Sequence, residues 1–208
     1  MLRFQSRSVA SQAATAIAVG LCTAVLALST APGRGAEAAS GAHKATPIDA
    51  CSLLTADEVS EVLGVKLDAG ARRDDGWVDN KTVHGAYSST CFWRATADRN
   101  MADPNLSMGG ASYAILNVFS WPPGSQDAGT FLQNFRDAAE SNLIPSKPVP
   151  LKIADEALWW GDGVAVKSGT VAFGISVHLV GGRPKERQME ETLGAKLAGR
   201  IARLPHGR

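Results

Sequence analysis

The stretch that decides the fold spans residues 157–179 and reads ALWWGDGVAVKSGTVAFGISVHL. Two short turn sequences, Gly-Asp-Gly and Lys-Ser-Gly, separate runs that are rich in β-branched and aromatic residues. Such turns join neighbouring antiparallel strands directly, so the stretch predicts a meander of three strands. The predicted strands are Ala157–Trp160, Gly163–Lys167 and Thr170–Leu179.

The last of these strands alternates between large apolar residues and small or polar ones. Its apolar set is Val171, Phe173, Ile175, Val177 and Leu179. Because neighbouring side chains point to opposite faces of a sheet, one face of this strand is expected to line a core. A final helix, predicted over Lys185–Arg203, has an apolar stripe that we expect to pack there. The stripe consists of Met189, Leu193, Leu197 and Ile201.

The earlier part of the chain also places a helix before several strands. Thr55 and Glu58 have the spacing of a capping box, and Gly64 supplies the left-handed residue that ends a short helix. The predicted elements are a helix at Ala56–Leu63, a polar loop or irregular hairpin at 69–85, strands at Tyr87–Arg94 and Ser112–Trp121, and a helix at Ala128–Ser141.

These elements predict an α+β fold in which an antiparallel sheet has helices packed on one face. The repeated order of a helix and then several strands suggests two helix-plus-strands halves. We expect a single α+β domain over residues 48–205, which is long enough for one core. Residues 39–47 are mostly small or polar and predict a flexible leader before the domain.

The first 38 residues have the composition of an export signal. Two arginines precede an uncharged run at 13–31 that is rich in alanine, leucine and valine. Ala36 and Ala38 suit the two positions that signal peptidase recognises, so we expect cleavage after Ala38 or nearby. The sequence therefore predicts a signal peptide at 1–38 and an exported protein, periplasmic or extracellular. An uncleaved membrane anchor is the alternative.

The charge balance narrows the class of partner. The whole chain has a formal net charge of +1, and removal of the signal segment leaves it close to neutral. Nucleic acids and anionic membranes bind basic surfaces, so we predict no nucleic-acid partner, and membrane contact only through the signal segment if it is uncleaved. The expected partner is an unidentified envelope protein or a small ligand.

The cysteines predict a disulfide. Two of the three, Cys51 and Cys91, lie outside the signal segment. An exported protein with an even number of cysteines usually pairs them, so we expect a Cys51–Cys91 bond. A redox or metal-binding pair is the alternative, although the sequence contains no C-x-x-C motif.

No motif in the sequence predicts catalysis. The chain lacks G-x-S-x-G, and its four histidines do not have the spacing of metal ligands. We therefore assign no catalytic residue, no metal site and no cofactor. The alternative is a hydrolase-type enzyme whose site is assembled from distant residues such as His84, Asp155 and His178.

Aromatic residues provide the candidate ligand-binding surface. Trp159 and Trp160 are consecutive in a predicted strand, so they face opposite sides of the sheet. Trp121 and Tyr113 share one parity of another strand, and an exposed cluster of such residues would suit a ligand or partner. The alternative is that the loop at 98–110 covers them. We predict a non-catalytic binding or interaction module of the cell envelope.

Three short motifs resemble those of a known group of exported proteins. Residues 49–64 read DACSLLTADEVSEVLG, residues 91–94 read CFWR and residues 154–157 read ADEA. The chain resembles small exported lipoproteins of actinobacterial type, of unknown function, with a C-S-L-L-T-x-x-E-V motif and a second cysteine in a later strand. Those proteins usually have glycine where this chain has Ala154, and a lipidated cysteine near the start. The resemblance implies a shared fold and, without that cysteine, an untethered protein.

Overall fold

The computed structural model describes residues 45–80, 83–96, 111–144 and 146–204. One antiparallel sheet of seven strands forms the centre of the described part, and four helices pack against it. In chain order the elements are α1 (Ala50–Leu53), α2 (Ala56–Leu63), β1 (Ala71–Val78), β2 (Ala86–Arg94), β3 (Tyr113–Ser120), α3 (Asp127–Glu140), β4 (Val149–Leu151), β5 (Glu156–Trp159), β6 (Val164–Ser168), β7 (Val171–His178) and α4 (Arg183–Ile201).

The strand order across the sheet is β1-β2-β3-β7-β6-β5-β4. Strands β1–β3 form one meander and strands β4–β7 form another. The last strands of the two meanders, β3 and β7, pair with each other. Their register runs from Tyr113 opposite His178 at one end to Ser120 opposite Val171 at the other. The sheet thus has two distinct ends, and each end gathers its own set of loops and helix termini.

The main core lies between the sheet and three helices, α1, α2 and α4. Phe173 and Ile175 of β7 are fully buried there, and so are Leu193 and Leu197 of α4. The predicted contact between the last strand and the apolar stripe of the final helix is confirmed. So is the predicted fold class, α+β with helices packed against an antiparallel sheet.

Helix α3 packs on the opposite face of the sheet, whereas we expected all helices on one face. Two residues of β7 on that face, Ala172 and Gly174, are small, and they leave room for the aromatic side of α3. A Cβ built on Gly174 would lie 3.9 Å from the ring of Phe131. The helices that precede the two meanders, α2 and α3, therefore lie on opposite faces, so the two halves resemble each other only in their strands.

Two short or irregular strands form the edges of the sheet. β1 lies within the predicted polar loop or hairpin and pairs with β2, with a register shift between Arg73 and Gly76. β4 has three residues, including Pro150, which suits an edge because proline cannot donate a ladder hydrogen bond. The predicted signal peptide, most of the leader, the loop at 98–110 and residue 205 lie outside the described residues. Within the described ranges, no helix combines the length and apolar character that a membrane crossing requires.

Candidate functional site

The disulfide between Cys51 and Cys91 is present, as predicted, with the two Cα atoms 5.0 Å apart. It joins the short helix α1 to the middle of β2. Gly70 lies against this bond, because a Cβ there would come within 2.6 Å of the Cys91 sulfur and 2.8 Å of the Trp93 indole nitrogen. Only a residue without a side chain fits at that position.

The disulfide fixes a segment that we call the N-terminal strap, residues 46–52. The Ser120 hydroxyl donates to the Thr46 carbonyl at 2.7 Å, and the Ala50 amide donates to the Ser89 hydroxyl at 3.0 Å. Asp49 caps α1 through the Cys51 amide and lies 3.4 Å from Arg72. Residues 45–47, predicted as the end of a flexible leader, therefore lie against the sheet, and Ala45 is buried.

An open cavity of about 580 Å³ lies beneath this strap, and we call it the strap pocket. One wall is the strap itself. The other lining residues are Ser120, Trp121, Pro123 and Gly124 after β3, Gly169, Thr170 and Val171 at the β6–β7 turn, and Leu204 after α4. The cavity thus lies at the end of the sheet where Ser120 is opposite Val171.

The lining of the strap pocket is mainly apolar. Trp121 forms part of its floor, and the indole N–H donates to the His84 carbonyl at 2.9 Å, which fixes the ring. Asp49 is the single titratable side chain among the described lining residues, and Arg72 lies beside it. The volume falls within the roughly 300–1,000 Å³ typical of ligand sites, and such sites are largely apolar with a few polar groups.

The four aromatic residues predicted to bind a ligand are distributed over both faces of the sheet. Trp159 packs against the main core, on the side of α4, whereas Trp160 lies on the opposite side with α3. The two tryptophans therefore face opposite sides of the sheet, as predicted. Trp121 is buried and Tyr113 is half-buried on the α3 side, at opposite ends of β3. Trp121 is the member of the four that lines the strap pocket.

Helix α3 covers much of the aromatic face. Phe131 lies 5.3 Å from Phe119 between ring centroids, and Phe135 stacks on Trp160 at 5.5 Å. The predicted alternative cover, the loop at 98–110, lies outside the described residues. Aromatic surface on this side is therefore used for packing the helix onto the sheet.

A second group of polar residues lies at the other end of the sheet. We call Asp162, Glu186 and Glu190 the carboxyl cluster. Glu190 is 2% exposed, and its carboxyl group accepts the Trp159 indole N–H at 3.0 Å and the Val177 amide at 3.1 Å. Burial, together with the negative charges of Asp162 and Glu186, raises the pKa of Glu190 to about 7, against the two hydrogen bonds that lower it.

The carboxyl cluster borders a small cavity of about 210 Å³. The guanidinium of Arg187 lies 4.7 Å from the centroid of the Trp159 ring and also pairs with Glu191 at 2.8 Å. The chain's own cation therefore covers this tryptophan. This arrangement of a cation on an indole face is stabilising, and it leaves Trp159 half-buried.

The three residues suggested for a hydrolase site are held in separate contacts. His178 lies 3.8 Å from Glu186 and against the Tyr113 ring, at the end of the sheet with the carboxyl cluster. Asp155 instead accepts the Gly169 amide at the opposite end, and His84 pairs with Asp79 near the β1–β2 connection. Within the described ranges, no group of three or more His, Cys, Asp or Glu side chains is arranged to bind a metal.

Sequence reasoning missed both the strap pocket and the burial of Glu190. The pocket depends on residues far apart in the sequence, so no local pattern indicates it. Glu190 was detectable, because Glu186, Glu190, Leu193 and Leu197 recur at the spacing of one helix face. A glutamate within an otherwise apolar stripe of a helix indicates a buried carboxyl group that has hydrogen-bond partners.

No known protein family, curated protein or solved structure matches this chain. The resemblance to small exported lipoproteins therefore remains a prediction from three motifs. Any function assigned to the chain has to be inferred from its own geometry.

Proposed function

We propose that this protein is an exported, non-catalytic binding module of the cell envelope, and that the strap pocket holds its ligand. The observation that carries the proposal is the open cavity of about 580 Å³ that has a disulfide-linked strap as one wall. Export is supported by the sequence of the first 38 residues, and a disulfide is a bond that persists in oxidising compartments.

The lining favours a small and largely apolar ligand. Burying a charge without a partner is costly, and Asp49, the one charged side chain among the described lining residues, already lies beside Arg72. Ser120 and Ser52 also make hydrogen bonds within the chain, to Thr46 and Asp49 carbonyls. The ligand would gain most of its affinity from apolar contact with groups such as Trp121 and Leu204, with any charged end left in solvent.

A pocket-filling substitution tests this proposal. Thr170 lines the cavity, so Thr170→Trp would occupy it, while Thr192→Trp adds the same side chain to an exposed position on α4. With cis-parinaric acid as a fluorescent apolar probe, we expect Thr170→Trp to weaken binding by at least about tenfold, or 1.4 kcal/mol. Thr192→Trp should bind like the parent. Equal probe binding by all three proteins, or none by the parent, would refute the pocket as a ligand site.

We also propose that the chain belongs with the small exported proteins that it resembles. Two of its motifs contribute the disulfide cysteines, and the first motif also builds α1 and α2. Ala154 has a backbone φ of 50°, a left-handed conformation that favours glycine. Glycine is the residue that the pattern of those proteins usually has there. A solved structure of one such protein with the same sheet order would support membership, and a different fold would contradict it.

A further inference from the structure

The two cysteines of the disulfide differ in burial. Cys91 is fully buried in the main core, whereas Cys51 is half-buried on α1. A thiolate from solution is therefore expected to attack at Cys51. On the strap side of this bond lie the five residues that form one wall of the strap pocket: Thr46, Pro47, Ile48, Asp49 and Ser52.

We propose that Cys51 is a site of thiol–disulfide exchange, and that reduction of its bond to Cys91 opens the strap and releases the ligand. The proposal rests on the proposed function, because it assumes that the strap pocket binds. It assigns to the disulfide a role beyond stabilising the fold.

The exchange needs an external dithiol. One thiolate of the dithiol attacks the Cys51 sulfur, the sulfur–sulfur bond breaks, and Cys91 leaves as a thiolate that takes up a proton. The second thiol of the dithiol then displaces the Cys51 sulfur, which is protonated in turn. Two electrons and two protons pass to the protein, and the dithiol becomes a cyclic disulfide.

The strap would keep other contacts without the disulfide, and the segment after it is held by larger buried side chains. Without the disulfide, the strap keeps the hydrogen bonds of Thr46 and Ala50, the packing of Ala50 and Ile48 against the main core, and the exposed pair of Asp49 with Arg72. Immediately after the strap, Leu53 and Leu54 are buried in the main core. Opening is therefore expected to stop at Leu53, so that the wall moves while the sheet and α4 stay in place.

Probe binding before and after reduction tests the functional part of the proposal. Cis-parinaric acid should bind the oxidised protein, and dithiothreitol should weaken binding by about tenfold if the wall is then in place about a tenth of the time. Cys51→Ala/Cys91→Ala should bind weakly with or without dithiothreitol. Equal binding by oxidised and reduced protein would overturn the redox control and leave the pocket intact. Absence of binding by the oxidised protein would refute both the redox control and the strap pocket as a ligand site.

Amide hydrogen exchange separates local opening from unfolding. Reduction should increase exchange at the Ala50 amide, which donates to Ser89, while the amides of Phe173 and Ile175 in β7 remain protected. Loss of protection throughout β7 would show that reduction unfolds the domain, and it would overturn the proposal. Unchanged exchange at Ala50 would overturn it as well.

Discussion

Helix α4 is attached at its two ends by different chemistry. Near its start, Glu190 is buried among Trp159 and the backbone of β7, with Asp162 and Glu186 close enough to repel its charge. Near its end, Arg200 donates to the Glu58 carboxylate and to the Leu53 carbonyl. The first attachment places a carboxyl group among apolar and acidic neighbours, whereas the second places one beside a cation.

This difference moves two carboxyl pKa values in opposite directions. Burial raises the pKa of Glu190 from 4.5 to about 7, whereas hydrogen bonds from Arg200 and the Thr55 amide lower the pKa of Glu58 from 4.5 to about 2. The end of the sheet with the carboxyl cluster therefore favours a proton, and the end with the strap pocket favours an ion pair. Helix α4 links these two ends. Raising the pH should therefore weaken its attachment at Glu190, and lowering the pH should weaken its attachment at Glu58.

Replacing a large apolar residue with alanine gives the largest expected effect on stability. Two such substitutions distinguish the strap pocket from the main core. Trp121→Ala and Phe173→Ala should each lower the free energy of unfolding by about 3–5 kcal/mol, because each leaves a cavity. Only Trp121 lines the strap pocket, so only its substitution should also weaken binding of cis-parinaric acid. Urea unfolding and probe titration check both quantities. Similar loss of probe binding by both variants would break the distinction between the regions.

Ionisation of Glu190 should weaken the protein as the pH rises. The folded pKa of about 7 lies above the unfolded value of 4.5, so Glu190 binds a proton more tightly in the folded protein. The stabilisation that this proton contributes is complete below pH 4.5 and is lost as the pH rises to about 7. We expect the parent to lose about 1–3 kcal/mol over this window relative to Glu190→Gln.

Urea unfolding at several pH values measures that difference. Glutamine accepts only one of the two hydrogen bonds, so Glu190→Gln should be the less stable protein in acid. The difference should then shrink with rising pH. A constant difference between the two proteins would show that Glu190 does not take up a proton on folding in this window.

The ion pair at the other end of α4 should respond to pH with the opposite sign. The folded pKa of Glu58 lies below the unfolded value, so its contribution is present above pH 4.5 and is lost as the pH falls toward 2. Arg200→Met keeps the apolar stem and should cost about 1 kcal/mol at neutral pH, because the pair is partly exposed. Thermal unfolding should show this cost shrink as the pH falls toward 2, leaving the part that comes from the hydrogen bond to the Leu53 carbonyl. An undiminished cost at pH 2 would assign all of it to packing or to the Leu53 carbonyl.

The smallest expected effect on stability comes from a substitution at Ala154, in the turn before β5 near the strap-pocket end of the sheet. Alanine in the left-handed conformation of Ala154 costs roughly 1–2 kcal/mol, and the greater freedom of unfolded glycine offsets roughly 0.4–1 kcal/mol of the gain. Ala154→Gly should therefore stabilise the protein by about 0.5–1 kcal/mol. The melting temperature checks this, with probe binding and both pH responses unchanged. A destabilised variant would show that Ala154 is not strained.

Local patterns predicted most of the secondary structure. The capping box of Thr55 and Glu58 starts α2 where expected, and the alternation in β7 identified the side that faces α4. The face chosen by α3 was not predictable in the same way. It depends on the contact of α3 with small residues of β6 and β7, which come much later in the chain, and no local pattern shows which side of the sheet a distant helix covers. The edge strand β1 was only partly anticipated, because its polar residues pair through backbone groups.

The sequence by itself determined the α+β class, the alternation of Trp159 and Trp160 across the sheet, and two cysteines able to pair. These features depend on short spacings, turn chemistry or residue identity. Only the tertiary structure decided that residues 46–52 form a wall, that Trp121 lies beneath it, and that Glu190 meets Trp159 and Asp162. A pocket and a shifted pKa arise from groups brought together across the chain, and no local pattern contains their distances.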